Sequence, residues 1–390
     1  MRILHVTRDF SPRTIGGIST AVGGMVKALQ RSGVQCAVLS FDGWRPVAKA
    51  RPGLKAAALE NQGGVEVLRV RSISHLSRAR SFAEQWLHIG EPTVLHVHHD
   101  TLWDFAREIR TERPLPAVLS VHVLHREQMR LRGYDGFTQS LQDQEKALVE
   151  CDAVIAPSLA ATRILLHDYP EIRPRLRTIG FGVDDSKEAH NNAFHRQEGS
   201  VRTALYVGRF SDIKGTFELY ETIPEVLGAV PDAKFVIAGG IPENQRMWRR
   251  WLRRWESKAD SQLQARVTFA GWLSAHALED CYRQAALLVC PSRFETFGMT
   301  ALEGMLHGLA VAAPDGGALA ELVTHGATGL LSPPGDVNRL VDNIITLLND
   351  RDCTFRLGLN GAREVRAKRL WDHIVPVLLN LYEDLIATGC

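Results

Sequence analysis

Short apolar runs that alternate with helical patterns are the feature that most limits what this chain can fold into. Branched apolar residues fill the runs without strict alternation, which is typical of parallel strands covered on both faces. The six runs of the first half are Arg2–Thr7, Val34–Ser40, Val65–Val70, Thr93–His98, Pro116–His122 and Ala153–Pro157. Helical patterns over Ser19–Ser32 and Phe137–Glu150 separate some of them. The first half therefore predicts an α/β, doubly wound domain.

The alternation stops at a polar stretch, Asp184–Ser200, and then restarts. The runs that follow it are Thr203–Gly208, Ala233–Gly239, Val267–Gly271, Leu287–Pro291, Ala310–Pro314 and Gly329–Ser332. The chain of 390 residues is long enough for two domains of ~150 residues each. We therefore predict two Rossmann-like domains, 1–184 and 201–368, a linker over 185–200, and an amphipathic C-terminal helix within 369–390.

Composition excludes several classes of protein. The formal net charge of +2 is too small to indicate a nucleic-acid partner. The six cysteines form no CxxC pair, so reduced cysteines in a cytoplasmic protein are expected. The first residues begin directly as a strand, and no apolar run approaches the ~20 residues of a membrane span. A soluble, cytoplasmic protein is the expectation.

Two doubly wound domains predict a ligand site in the cleft between them, at the carboxyl ends of both sheets. Glu295 and Glu303 lie in that region and bracket the start of a predicted helix, Gly298–Leu309. The N–H groups of Gly298, Met299 and Thr300 at the helix start favour an anion. An isolated pair of glutamates is more often solvated surface, but here it could hold hydroxyl groups at both ends of a nucleotide diphosphate sugar.

Other loops predicted to reach the same cleft carry complementary groups. Arg209 and Lys214 follow the first strand of the second domain, and two cations can neutralise a diphosphate in place of a metal. Gly16 and Gly17 precede a helix in the first domain and would let backbone N–H groups approach a ligand closely. A lone Gly-Gly pair is also common in ordinary turns.

At these residues the chain resembles the retaining, two-Rossmann-domain (GT-B) glycosyltransferases often called glycosyltransferase family 4. The family's E-x7-E run, PSxxExFGxxxLEAMxxGxPV, is matched from Pro291 to Val311. VGRxxxxKG is matched by 207–215, GGxxxxV by 16–22 and GLLxPPGD by 329–336. The resemblance covers essentially the whole chain. The helix beginning near Trp371 is similar to the family's last helix, which crosses back onto the first domain.

The resemblance implies roles for individual residues. Arg209 and Lys214 would bind the donor diphosphate, Glu295 the hydroxyl groups of the sugar, and Glu303 those of the ribose. His122 looks like the family's histidine near the donor sugar and the reaction centre. The groups that would border the phosphate and the sugar are Gly16, Gly17, Phe297, Gly298, Met299 and Thr300.

The chain departs from the family pattern at two places. The usual PNGVD reads Gly180-Phe181-Gly182-Val183-Asp184, so any contact of the missing asparagine is lost. The run from Gly316 to Glu321 is one residue longer than the family's GGIPE is usually written, which leaves the role of Glu321 open.

Three further clusters have alternative interpretations. His96-Val97-His98-His99 has metal-like spacing, but we interpret it as a strand end facing the cleft and predict no metal site. Trp248–Trp255 carries tryptophans and arginines at helical spacing, which suits either packing on the sheet or contact with an anionic membrane at its inner face. Arg126, Arg130 and Arg132 follow the His122 strand; with His98, Arg126 and Arg130 are candidate acceptor-side residues.

The sequence thus predicts a retaining, metal-independent hexosyltransferase that uses no cofactor and takes a nucleotide diphosphate sugar as co-substrate. The expected donor is UDP-glucose or UDP-N-acetylglucosamine, with GDP-mannose as the alternative. The acceptor is a hydroxyl group of a glycan, a lipid-linked sugar or a small metabolite. A nicotinamide-dependent dehydrogenase is disfavoured because no GxGxxG follows the first strand. A catalytically silent nucleotide-sugar-binding subunit is the remaining rival.

Overall fold

The computed structural model describes residues 1–12, 16–42, 57–71, 76–87, 91–134, 136–194, 202–240, 253 and 261–388. Contacts between these residues divide the chain into two compact units. The first unit comprises Met1–Gly182 with Trp371–Cys390, and the second comprises Val183–Leu370. Each unit contains its own sheet and helices.

The first unit is built on an eight-stranded sheet with the order β3-β4-β2-β1-β5-β6-β7-β8 in the described residues. Its strands are β1 Arg2–Thr7, β2 Gln35–Ser40, β3 Ala57–Gln62, β4 Val65–Val70, β5 Thr93–Val97, β6 Ala117–Ser120, β7 Ala153–Ala156 and β8 Leu176–Thr178. The helices that precede residue 182 are α1 Gly17–Arg31, α2 Leu76–Leu87, α3 Trp103–Glu112, α4 His125–Leu131, α5 Gln139–Glu150 and α6 Leu159–Asp168. Strand order reverses on either side of β1, as in a doubly wound sheet.

The second unit is built on a six-stranded parallel sheet with the order β11-β10-β9-β12-β13-β14 in the described residues. Its strands are β9 Thr203–Arg209, β10 Lys234–Gly240, β11 Val267–Gly271, β12 Leu287–Val289, β13 Ala310–Pro314 and β14 Gly329–Ser332. Its helices are α7 Lys187–Phe194, α8 Thr216–Ala229, α9 Ser261–Ala265, α10 Ala275–Gln284, α11 Met299–Leu306, α12 Leu319–Leu322, α13 Val337–Asn349 and α14 Arg351–Lys368. Both units therefore have the predicted α/β class.

The last helix, α15 Trp371–Ala387, belongs to the first unit. The Tyr382 hydroxyl group lies 2.7 Å from Nδ1 of His96, so α15 is bonded to the sheet. The Trp371 ring packs so closely on α1 that a Cβ atom at Gly24 would lie 2.2 Å from the indole Nε1. The first unit is thus completed by the end of the chain.

The second unit begins and ends at neighbouring backbone positions. Val183 and Leu370 form an isolated parallel bridge, and the Val183 N–H donates to the carbonyl oxygen of Arg369 at 3.0 Å. The chain therefore enters and leaves this unit side by side.

The structure differs from the sequence-based expectation in three places. The predicted linker over 185–200 contains α7, whose Ala189 and Ala193 are buried; small apolar residues at helical spacing suffice to pack it. The two short strands β3 and β8 were not predicted. The first sheet is also not fully parallel, because β3 runs antiparallel to β4.

The described residues bear on three further expectations, which concern the Trp248–Trp255 segment, the cysteines and membrane-spanning helices. Of Trp248–Trp255, only Arg253 lies among the described residues, so the choice between packing and membrane contact falls outside them. Among the described cysteines none forms a disulfide, and Cys36, Cys151 and Cys290 are buried. In the part of the chain that the structure describes, no helix combines the length and the apolarity required to cross a membrane.

Candidate functional site

Lys214 and Glu295 form the central ion pair of the second unit. The Lys214 ammonium group donates to both carboxylate oxygens of Glu295, at 2.6 Å and 2.8 Å. The Ser292 hydroxyl group donates to Oε1 of the same carboxylate at 2.7 Å. Lys214 comes from the loop after β9, and Ser292 and Glu295 come from the loop after β12. Because β9 and β12 are parallel neighbours, both loops leave the sheet at the carboxyl ends of its strands.

Two glycines with positive φ allow these loops to approach each other. Gly215 has φ 66°, and a Cβ atom there would lie 1.8 Å from the carbonyl oxygen of Pro291. Gly317 has φ 56°, and a Cβ atom there would lie 2.7 Å from the carbonyl oxygen of Glu295. The Ala318 N–H donates to that same oxygen at 2.9 Å, so the backbone on which the Glu295 carboxylate is mounted is fixed.

A helix N-terminus follows Glu295 directly. Gly298 is the N-cap residue of α11 and has φ 93°, in the left-handed region where a side chain would be strained. Helix α11 then begins at Met299, and Thr300 is its second residue. The first N–H groups of a helix have no partner inside it, so they and the helix dipole present positive potential beside Glu295. Phe297 is buried and anchors the turn.

Glu303 lies one turn into α11 and is held by α10. The Tyr282 hydroxyl group donates to Oε2 of Glu303 at 2.9 Å. Burial raises the pKa of the Glu303 carboxyl group to about 7, although the bond from Tyr282 acts in the opposite direction. The Tyr282 ring stacks on His307 with ring centroids 4.8 Å apart, and Nδ1 of His307 lies 3.1 Å from Nδ2 of Asn192 on α7. Glu303 is thus a half-buried acid whose pKa lies near neutral pH.

Arg209 lies at the end of β9 with an exposed side chain. The Tyr206 hydroxyl group donates to its backbone carbonyl oxygen at 3.0 Å. Among the described residues the Arg209 guanidinium group makes no hydrogen bond or ion pair, so its charge is available to a ligand.

In the first unit, His122 lines a small pocket at the carboxyl end of the sheet together with Ile18 and His99. Ile18 follows Gly16, the N-cap residue of α1, and Gly17, its first residue. His122 is half-buried, and its ring stacks on Phe181 at 4.9 Å between centroids. Burial lowers the pKa of His122 to about 4, so its ring is neutral at pH 7. The predicted residues Gly16, Gly17 and His122 therefore belong to one region of this unit.

The predicted acceptor-side arginines are engaged within the protein. Arg126 donates to Glu145 and, at 3.2 Å, to the Tyr169 hydroxyl group. Arg130 pairs with Asp168 and with Glu127. These bonds raise the pKa of Arg126 and Arg130, and an anionic acceptor would have to displace them.

His98 lines the same pocket as His122, but its side chain offers little to an acceptor. The side chain is only 1% exposed, and both ring nitrogens are occupied by other histidines. His98 therefore has no ring nitrogen available for an acceptor.

Three residues of these clusters were missed by the sequence-based reasoning. The position of Ser292, three residues before Glu295, is the local signal for its bond to the carboxylate. Tyr282 bonds to Glu303 across 21 residues of sequence, and His5 bonds to His98 across 93. No local pattern indicates such partners.

Comparisons with known proteins agree with this architecture. The family model described as "Glycosyl transferases group 1" matches residues 201–350, and the model described as "Glycosyltransferase Family 4" matches residues 15–187. An uncharacterized glycosyltransferase from Methanocaldococcus jannaschii is 27% identical over 98% of this chain and 98% of its own length. A 2-deoxystreptamine N-acetyl-D-glucosaminyltransferase from Niallia circulans is 30% identical over 47% of this chain and 45% of its own length.

A solved structure resembles the whole chain. Sucrose-phosphate synthase from Thermosynechococcus elongatus superposes with a TM-score of 0.80, at 22% identity, with 100% of both chains covered. At that identity the likeness shows the fold alone.

Proposed function

The chain belongs to the group 1 glycosyltransferases of the GT-B fold, which transfer a sugar from a nucleotide sugar, and on this premise we propose a more specific activity. The protein is a retaining, metal-independent hexosyltransferase that acts on a hydroxyl group of its acceptor. The second unit binds the nucleotide diphosphate sugar, and the first unit binds the acceptor.

The observation that carries the proposal is the Lys214–Glu295 pair beside the N-terminus of α11. An ammonium group, an exposed guanidinium group on Arg209 and unpaired helix N–H groups together offer three kinds of positive potential in one unit. This combination suits a diphosphate, whose charge grows as it departs. Glu295 is an acceptor for sugar hydroxyl groups, and Glu303 is one for the ribose.

In the proposed reaction the acceptor oxygen attacks the anomeric carbon from the face that the diphosphate leaves. The bond between that carbon and the diphosphate oxygen breaks as the new glycosidic bond forms. An oxygen of the departing β-phosphate takes the proton of the acceptor hydroxyl group. Arg209 and Lys214 stabilise the negative charge on the leaving group, which is why no metal ion is invoked. His122 contributes a contact to the reacting sugar.

UDP-glucose or UDP-N-acetylglucosamine is the proposed donor, and GDP-mannose is the alternative. The N-acetylglucosaminyltransferase named above supports an amino-hexose donor through the half of the chain that it matches. The acceptor is proposed only as a class: a glycan, a lipid-linked sugar or a small metabolite that offers a hydroxyl group.

Thermal shift against UDP, GDP, ADP and TDP, with and without their common sugars, tests the donor assignment. A nucleotide present at 100 times its dissociation constant adds about 2.7 kcal/mol to the free energy of unfolding, which is readily measured. We expect stabilisation by UDP and its sugars. A shift with GDP-mannose alone selects the alternative, and the absence of any shift contradicts the proposal.

Donor hydrolysis separates an enzyme from a silent binding subunit. A retaining transferase that binds its donor releases hexose slowly to water when no acceptor is present. Analysis of the anomer first released, by proton NMR, then tests retention. Binding without any release of sugar would identify the silent subunit instead.

A further inference from the structure

A chain of three histidine rings runs from the core of the first unit to His122. Nδ1 of His5 lies 3.0 Å from Nε2 of His98, and Nδ1 of His98 lies 3.3 Å from Nε2 of His122. His5 is fully buried on β1, and His98 follows β5. The rings are also in contact, with centroids of His5 and His98 5.3 Å apart. This row of hydrogen-bonded rings therefore connects the inaccessible ring of His5 to the ring of His122, which lines a pocket.

Hydrogen bonding along this chain can run in only one direction at a time. A neutral imidazole has one N–H donor and one bare acceptor nitrogen, so His98 must donate on one side and accept on the other. All three rings are neutral at pH 7: burial lowers the pKa of His5 to about 3, that of His122 to about 4, and that of His98 well below its ordinary value. The tautomer of one ring thus fixes the tautomers of the other two.

The inner end of the chain decides the direction. Nε2 of His5 is buried and has no hydrogen-bond partner among the described residues. If the chain ran inward, this nitrogen would carry an N–H group with nothing to accept its proton. Buried N–H groups without a partner are rarer in proteins than buried acceptors without one. If each ring instead donates outward, from His5 toward His122, Nε2 of His5 is an acceptor nitrogen without a proton, and no N–H group is left without a partner.

We propose that His5 and His98 lock His122 in the tautomer with its proton on Nδ1. In this arrangement His5 donates from Nδ1 to Nε2 of His98, and His98 donates from Nδ1 to Nε2 of His122. His98 and His5 are positioning residues, because they act through His122. The side chain of His122 then retains one polar atom for a ligand, the Nδ1–H donor.

A chemical consequence follows, and it rests on the proposed function. A ring whose bare nitrogen is occupied by His98 cannot remove a proton from an acceptor hydroxyl group. His122 therefore contacts substrate as a neutral donor to an oxygen atom, and the general base must be another group. This agrees with the assignment of that role to the departing phosphate.

A metal ion is the competing explanation for this cluster. Ligand atoms of His5, His96 and His98 lie within 4.8 Å of one another. However, both ring nitrogens of His96 are already hydrogen-bonded: Nδ1 lies 2.7 Å from the Tyr382 hydroxyl oxygen, and Nε2 lies 2.8 Å from that of Ser120. Hydrogen bonds thus occupy both ring nitrogens of His96 and of His98, so an ion would have to displace them, and among the described residues only Nε2 of His5 is left without a partner in this cluster.

Nitrogen-15 NMR of the full-length protein, labelled on histidine and free of ligands, tests the proposal. Protonated and bare imidazole nitrogens resonate far apart, and the signals that vanish in His122→Gln identify His122. At pH 7.5 we expect a protonated Nδ1 and a bare Nε2 on His122. A proton on Nε2 of His122 would overturn the proposal, as would retention of one equivalent of Zn²⁺ with loss of the His5 and His98 signals.

Variants test the coupling. In His98→Phe the lock is absent, so we expect the proton of His122 to redistribute to Nε2. The matched control is His96→Phe, the same change in the same buried layer, which should leave His122 unchanged. An equal effect of both variants would mean that packing is responsible. If His98→Phe does not fold, His98→Gln offers an amide donor at the same place and should retain the proton on Nδ1; a shift to Nε2 there contradicts the proposal.

Activity gives an independent readout. With a donor in hand, His98→Phe should lower turnover about 10–100-fold, as when the partner of a functional histidine is removed. Its affinity for UDP should stay within about 2-fold of the original, because the second unit binds the nucleotide. Unchanged turnover would overturn the role of His98 in positioning. A wild-type protein without transferase activity would refute the proposed function. The NMR experiment would still decide whether His122 carries its proton on Nδ1.

Discussion

The charge of the Lys214 ammonium group is neutralised by the Glu295 carboxylate, to which it donates two hydrogen bonds. Its bonds of 2.6 Å and 2.8 Å are short, and Ser292 restrains the carboxylate from a third side. A diphosphate would compete for the ammonium group and release carboxylate lone pairs for sugar hydroxyl groups. On the proposed function, the pair thus keeps each group in place for a different part of the donor.

Replacing Lys214 by alanine should lower turnover by about 10²–10³-fold, because a preorganised donor to the developing charge is lost. The measurement is kcat for sugar release or transfer. Lys368→Ala, an exposed lysine on α14, is the control and should retain full activity. Near-normal turnover of Lys214→Ala would refute its role with the diphosphate.

Glu303 should make nucleotide affinity depend on pH. On the proposed function its carboxylate accepts bonds from ribose hydroxyl groups, and its pKa of about 7 means that a lower pH converts it to a poorer acceptor. Affinity should therefore fall as pH decreases through 7, by at most about tenfold per unit. The ratio of the affinities for UDP and 2′,3′-dideoxy-UDP, measured by calorimetry from pH 6 to 9, cancels ionisation of the phosphates. A ratio that does not change with pH would contradict this prediction.

At the scale of elements, most strands could be predicted because both faces of a parallel sheet are buried. The bounds Arg2–Thr7, Val65–Val70 and Val267–Gly271 agree residue for residue with β1, β4 and β11. The edge strand β3 cannot be predicted from an apolar run, because every residue after Ala57 is exposed or part-buried. The predicted helix Gly298–Leu309 ends early, at Leu306, because Gly308 adopts φ 76° and closes the helix.

The bond between α10 and α11 can be tested with Tyr282→Phe. Without the hydroxyl donor the Glu303 carboxylate is less stable, and a bond to a charged group is worth about 1.5–3 kcal/mol. The midpoint of the pH dependence of UDP binding should therefore rise by about 1–2 units. Tyr382→Phe, which removes a buried hydroxyl group in the first unit, is the control and should leave it unmoved. A lower affinity without a change in midpoint would indicate a purely structural role.

Two glycines at opposite ends of α8 should respond oppositely to alanine. Gly215→Ala places a Cβ atom against the carbonyl oxygen of Pro291 at a positive φ and should cost about 2–4 kcal/mol. Gly228 has nothing within 4 Å of such a Cβ atom, so Gly228→Ala should stabilise by about 0.4–1 kcal/mol. Urea unfolding followed by circular dichroism compares them. Equal changes in the free energy of unfolding would show that a Cβ atom against Pro291 does not destabilise the protein.

At the scale of the whole molecule, the candidate residues were easier to predict than their partners. Glu295, Glu303 and Lys214 stand in recognisable runs, since the chemistry of a ligand fixes residue types at fixed spacing. The bonds of Arg126 to Glu145 and of Glu303 to Tyr282 depend on which helices pack together, and nothing in the local sequence records that. The burial of His98 is a similar case.

The first unit should not be stable without the end of the chain. Helix α15 buries Trp371, Leu378 and Tyr382, and losing a buried aromatic side chain costs about 3–5 kcal/mol, a large part of ordinary domain stability. A fragment of residues 1–182 should therefore be degraded rapidly by protease, and a synthetic peptide of residues 371–388 should protect it. A scrambled peptide is the control. A fragment that resists protease alone would contradict this view.

The bridge between Val183 and Leu370 has an evolutionary consequence. Because the chain crosses into and out of residues 183–370 at adjacent positions, that segment has the topology of a removable cassette. A genetic exchange with both breakpoints at this bridge would replace one complete sheet and its helices and cut no strand of the other. Any specificity determined by residues 183–370 would then be inherited as a unit. A single recombination could replace that segment without changing the residues of the first unit.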